Sequence, residues 1–177
     1  MKVVYPGDFD PITNGHLHLI NRASNFIDQL IIAISRNSNE KHLFSTQERI
    51  NMIQEVTNKM INVEIKVYDG LLVNFLEQED TNLILKGLKE IYDFEKEFKI
   101  SSLNKKLNSD IETIMLFSEG KYNYLNSRLL MEKLDNKTLG GLESRNSSSN
   151  GGIQVSRNPS KLKWIQASSD SGTIDPS

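Results

Sequence analysis

The segment 3–22 holds the residues best suited to phosphate chemistry. Pro6-Gly7-Asp8-Phe9-Asp10-Pro11 is a loop rich in structure breakers, and Thr13-Asn14-Gly15-His16 follows it. Gly7 and Gly15 permit close approach of backbone to a phosphate. His16 falls in the first turn of an expected helix, where unpaired N–H groups and the positive end of the macrodipole favour anions. An imidazole N–H at that point can donate to a phosphoryl group whose charge grows in a transition state. A purely structural hydrogen bond at the helix start is the plainer alternative. His18 lies roughly 200° further around the same helix and reads as a surface or packing residue. His42 sits in a polar stretch with no motif of its own.

Elements must hold these groups in place. Val3-Val4-Tyr5 is a short apolar run that feeds the loop, and Leu19, Ile20, Ala23, Phe26 and Ile27 recur on one helical face after it. Leu30-Ile31-Ile32-Ala33-Ile34 is continuously apolar, as a strand buried on both faces of a parallel sheet would be. Ser45-Thr46-Gln47-Glu48 is a capping box, and Ile50, Ile53, Thr57 and Met60 extend a helical stripe from it. Val63, Ile65 and Val67 alternate with Glu64, Lys66 and Tyr68, predicting a third strand with one wetter face. A short helix is expected over 71–76 and a strand over 82–85. A helix over 92–107 (Phe94, Phe98, Ser101 or Ser102, Leu107), a strand over 111–117 and a last helix over about 126–134 follow. Alternation of this kind predicts a doubly wound α/β fold with a five-stranded parallel sheet. Ligands then bind outside the carboxyl ends of the strands, so segments 6–16, 35–41, 86–89 and 118–128 are expected to converge.

Composition narrows the classes. The chain has 177 residues, with a net charge of −2 and no cysteine. One domain of substantial core fits this length. The charge gives no case for a nucleic-acid or anionic-membrane partner. Without cysteine there are no disulfides or thiolate metal sites. No apolar run approaches the ~20 residues of a membrane span, and Pro6 and Gly7 interrupt the only N-terminal apolar run. A cytoplasmic protein is the expectation. The domain is expected over 1–137. From 138 to 177 half of the residues are Ser, Gly, Asn or Pro, with Trp164-Ile165 as the one sizeable apolar pair. That segment reads as a disordered tail.

The string YPG-x-FDP-x-TNGH resembles the signature of bacterial phosphopantetheine adenylyltransferases, a branch of the nucleotidyltransferases with an HxGH motif, over roughly residues 2–134. The resemblance implies a Rossmann-like fold and transfer of AMP from ATP to 4′-phosphopantetheine. The products would be dephospho-coenzyme A and pyrophosphate. It implies Mg²⁺ arriving with ATP, and a homohexamer in which the helix 93–107 packs between subunits. His16 becomes the catalytic donor. Nucleotide contacts fall on Asp8, Phe9, His16, Gly87, Leu88, Lys89 and Glu97. They also fall on the run Tyr122, Asn123, Tyr124, Leu125, Asn126, Ser127 and Arg128, where Ser127 is the surviving central serine. Asp8, Glu40, Lys41, Leu72 and Lys86 fall on the second substrate.

Several positions depart from the family pattern. Asp8 replaces a threonine or serine that can donate to phosphate, whereas a carboxylate only accepts. Glu40 replaces a lysine, with Lys41 next to it. Lys86 and Lys89 keep the charge of two arginines without the guanidinium fork. Asn126 and Arg128 replace two of three serines. The alternatives are a homologue that keeps the fold with weak or no catalysis, and a sister nucleotidyltransferase with another substrate, such as glycerol phosphate with CTP. Thr13, where those sister enzymes carry histidine, favours the pantetheine branch.

Overall fold

The computed structural model describes residues 1–36, 42–88 and 91–118, Ile91 and Tyr92 by backbone alone. Strands and helices alternate throughout: β1 (Lys2–Pro6), α1 (Asn14–Ser24), β2 (Gln29–Ser35), α2 (Thr46–Thr57), β3 (Val63–Tyr68), α3 (Leu72–Gln78), β4 (Leu83–Leu88), α4 (Ile91–Leu107) and β5 (Glu112–Phe117). The five strands form one parallel sheet in the order β3-β2-β1-β4-β5. This is the predicted doubly wound α/β architecture. The expected helix over 126–134 and the tail boundary near 137 lie outside the described residues.

Val3, Val4, Ile84 and the whole run Leu30 to Ile34 are inaccessible to solvent, which is why these strands carry no polar alternation. Winding reverses after β3. Right-handed crossovers therefore put α1 and α2 on one face of the sheet and α3 and α4 on the other. On the second face Val4, Ile31, Ala33 and Ile84 pack with Val73, Phe75 and Leu76 of α3.

Several expectations change on folding, the stripe expected through Phe94, Phe98 and Leu107 of α4 among them, since all three are exposed. Phe26 does not continue the buried face of α1: the helix ends at Ser24 with Asn25 as its cap, and Phe26 is 52% exposed. The Asn62 side-chain amide donates to the carbonyls of Ser24 and Ile27 at 2.9 and 2.8 Å, which satisfies acceptors at the close of that helix. In α2 the buried face is Arg49, Met52, Ile53 and Thr57; Ile50 is only half-buried and Met60 lies past the helix end. The wetter face of β3 is partly covered, since Tyr68 stacks on Phe75 of α3 with ring centroids 5.1 Å apart. Farther down that strand the Lys66 ammonium lies 2.6 Å from Glu79 and 3.4 Å from Glu64.

Candidate active site

The strand order turns back between β1 and β4, and a crevice opens at such a switch point beyond the carboxyl ends of the strands. The loop after β1 forms one wall, and the end of β4 forms the other. Gly7 N–H donates to the Ala33 carbonyl at 3.1 Å, which carries the β1–β2 ladder one residue into the loop. The chain then turns through Phe9, whose φ of 47° is left-handed. Its ring is buried edge-on to Tyr5 (5.3 Å) and to His16 (5.1 Å). A Cβ on Gly7 would lie 3.0 Å from that ring, so a glycine there lets the turn close.

Two ties hold the loop to the start of α2. The buried Asp10 carboxylate accepts from the N–H groups of Leu43 (2.6 Å) and Phe44 (2.9 Å), and His42 Nδ1 lies 3.4 Å from it. The Asp8 carbonyl accepts from Arg49 Nη1 at 2.8 Å. The Asp8 side chain is exposed. Its charge nevertheless reaches Tyr68, whose phenol is held above its ordinary pKa chiefly by burial. A hydrogen bond with Ser35 acts the other way, and the Asp8 charge adds to the rise.

His16 is held by a reciprocal box. Thr13, extended at φ −117°, caps α1. His16 N–H donates to Thr13 Oγ1 (3.4 Å), and Thr13 N–H donates back to His16 Nδ1 (3.1 Å). Because the peptide N–H is a donor only, Nδ1 must offer its lone pair. The proton of the neutral ring therefore sits on Nε2. The first turn of α1 carries no acid, so nothing there offsets the positive end of the helix.

On the opposite wall, Lys86 Nζ lies 3.3 Å from Glu97 Oε2 of α4, and both side chains are mostly buried. Glu97 is thus not a solvated helix-face charge. Burial, and secondarily the Glu97 charge, push the Tyr5 phenol far up. Gly87 packs against Leu19 of α1, whose Cδ1 would collide with any Cβ there, and this lets α1 sit close over β4. Leu88 is buried, and its carbonyl accepts from Ser118 N–H at 2.8 Å, so its side chain belongs to the core. Leu72, half-buried at the start of α3, packs with Tyr68 against the cluster on that face. Gly15 is buried in α1, and His18 is half-buried farther along the helix.

The structure therefore brings Asp8, Phe9 and His16 together on one wall, and Lys86, Gly87 and Glu97 on the other. Glu40, Lys41, Lys89, Tyr122, Asn123, Tyr124, Leu125, Asn126, Ser127 and Arg128 lie outside the described residues. Sequence reasoning gave Arg49, Asp10 and Tyr68 no role at the site and set His42 aside as lacking a motif. Arg49 had a usable signal, since it shares the i, i+3, i+4 face of Met52 and Ile53.

A reversing parallel sheet, a glycine-bearing first loop and a histidine in the first helical turn define an α/β nucleotidyltransferase. The family described as cytidylyltransferase-like matches residues 4–133. A Clostridium botulinum phosphopantetheine adenylyltransferase is 48% identical over 124 residues, covering 70% of this chain and 76% of its own length. The enzyme of that name from Caldanaerobacter subterraneus is 46% identical over 129 residues, covering 73% and 81%. The chain belongs to the phosphopantetheine adenylyltransferase family. Among solved structures, a Plasmodium falciparum nicotinic acid mononucleotide adenylyltransferase is 19% identical at a TM-score of 0.55, over 75% of this chain and 83% of that one. A bifunctional NMN adenylyltransferase/ADP ribose pyrophosphatase from Francisella tularensis gives 0.58 at 20% identity, over 76% and 42%. At such identities these two share the fold alone.

Proposed function

We propose that this chain transfers the adenylyl group of ATP to 4′-phosphopantetheine, in the crevice between β1 and β4. A phosphate oxygen of phosphopantetheine attacks the α-phosphorus. The new P–O bond forms as the bond to the β-phosphate bridge breaks, and pyrophosphate leaves with dephospho-coenzyme A as the other product. The nucleophile is already an anion, so the protein's work is positioning and charge stabilisation rather than proton abstraction. The observation that carries the reading is the Thr13–His16 box, which leaves Nε2–H as the donor of the neutral imidazole at the first turn of α1. We assign that donor to the α-phosphoryl oxygens.

ATP is assigned to Asp8, Phe9, Gly87, Leu88, Lys89, Glu97 and the segment 122–128, and phosphopantetheine to Asp8, Glu40, Lys41, Leu72 and Lys86. Mg²⁺ is assigned to the ATP phosphates, which with water supply its oxygens. Among the described residues no group of three His, Cys, Asp or Glu could hold a metal ion. Among them, too, no helix is long and apolar enough to cross a membrane. A cytoplasmic location goes with a nucleotide substrate. Homohexameric assembly is part of the same reading and is supported by the exposed Phe94, Phe98, Leu103 and Leu107 of α4. Relatives near half identical do not favour an inactive homologue or a CTP-dependent sister enzyme.

The test is pyrophosphate release from ATP and from CTP, each with Mg²⁺ and 4′-phosphopantetheine. Release with ATP is expected. His16→Ala should lower kcat about 10²–10³-fold, as loss of one oxyanion donor does elsewhere, with ATP binding altered only a few-fold. Preference for CTP, or full turnover in His16→Ala, would overturn the assignment.

A further inference from the structure

We infer that Arg49 is a positioning residue for this reaction: from α2 it fixes the Asp8 carbonyl, and with it the turn at Phe9 against which His16 packs. The inference rests on the proposed transfer at this crevice. Arg49 is 1% exposed and is the largest fully buried side chain described. Its Nη1 donates to the Asp8 carbonyl at 2.8 Å and its Nη2 to Thr46 Oγ1 at 3.2 Å. Its Nε is buried with no hydrogen-bond partner, and none of the ion pairs among the described residues involves it.

A buried cation with no carboxylate paired to it among the described residues is a poor choice for stability, and a well-packed apolar side chain of similar volume generally does better. Stability alone does not account for it; its contact does. The Asp8 carbonyl belongs to the peptide that enters Phe9, a non-glycine residue at φ 47°. Fixing that carbonyl fixes how the peptide plane turns, and so where the Phe9 ring lies. The ring meets Tyr5 on one side and the His16 imidazole, 5.1 Å away, on another. Asp10 holds the far end of the same turn through Leu43 and Phe44. Both anchors arise from the entry and first turn of α2, so that helix sets the phosphate loop from below. Arg49 touches no reacting atom in this scheme and acts through Phe9 on His16.

The experiment uses the full chain with Arg49→Gln and Arg49→Lys. Two readouts are taken, pyrophosphate-release kinetics and the imidazole ¹⁵N and ¹³C resonances of His16, assigned among the chain's three histidines by substitution. Arg49→Gln should fold with a lowered Tm, lose about 10²-fold in kcat, the scale of a small misplacement of reacting groups, and keep the KM for ATP within a few-fold. Its His16 resonances should move as the Phe9 ring current shifts. Arg49→Lys can reach one of the two acceptors and should give a smaller shift and an intermediate kcat. A folded Arg49→Gln with unmoved His16 resonances, or with unchanged kcat in an active enzyme, overturns the inference. If Arg49→Gln does not fold, Arg49→Lys decides by the same two readouts. If the unaltered chain releases no pyrophosphate, the transfer reading fails, and the His16 resonances alone decide what Arg49 holds.

Discussion

Asp8 places a carboxylate on the wall of the crevice that His16 shares. It is exposed, and its charge adds to the rise in the pKa of the half-buried Tyr68 phenol, which burial chiefly causes. In the proposed transfer a triphosphate arriving beside it would meet like charge, and the resemblance sets a second acid, Glu40, which lies outside the described residues, where the family usually has lysine. Replacing both, Asp8→Thr with Glu40→Lys, should tighten ATP several-fold by isothermal titration, and the gain should shrink as salt screens it. No gain at low salt would mean that the site has adapted to its acids. Asp8 was placed on its loop by the spacing of the breakers and the TNGH string, whereas Glu40 lies outside the described residues. Arg49 was not legible in that way. Its place on the buried face of α2 with Met52 and Ile53 was the one local signal, and the contact that accounts for its burial, the Asp8 carbonyl, comes from 41 residues away.

Among elements, α1 meets β4 where Leu19 lies over Gly87. Gly87→Ala would drive a methyl into Leu19 Cδ1, the end of a flexible side chain on a buried helical face. The cost should be about 1–3 kcal/mol by denaturant unfolding, the usual range for an overpacked core. Leu19→Ala in the same chain should relieve the clash, making the pair less destabilising than the sum of the single changes. A different device sets α2. The Ser45 hydroxyl and N–H both donate to Glu48, and they hold its carboxyl below the usual range. A lowered folded pKa contributes stability above the unfolded carboxylate value of ~4.3 and loses it as pH falls through the folded value. Ser45→Ala should therefore cost about 1 kcal/mol near neutral pH, and its deficit should narrow below about pH 4, followed as Cm against pH. Strands and caps were readable here because each is a local pattern. The end of α1 was not, because Asn62, far along the chain, supplies the donors that close it.

At the scale of the molecule, α4 exposes four large apolar side chains. The sequence pattern suggested a stripe through Phe94, Phe98 and Leu107, but these are 45%, 57% and 54% exposed, and Leu103 is 57% exposed. The side facing the fold is instead mixed, with Asn104 buried, Glu97 paired to Lys86 and Ile100 half-buried between them. At 100° per residue, Phe94 and Phe98 flank that side on one edge and Leu103 and Leu107 on the other. Periodicity could not foretell this, since a helix with apolar residues on both flanks has no single stripe to read. Such a helix is stable when both flanks are covered, and further copies of the same chain are the covering that the proposed hexamer supplies. Phe94 and Phe98 stack with centroids 5.9 Å apart, which makes them one apolar unit on the outer edge. Phe98→Glu puts a charge in the middle of that unit, away from Lys86 and Glu97. Light scattering after size exclusion should show the unaltered chain as an assembly and Phe98→Glu as smaller species that still fold by circular dichroism. An assembly of unchanged mass in Phe98→Glu would place the contact elsewhere. A folded monomer in the unaltered chain would mean that this helix stays uncovered and that the proposed hexamer does not form.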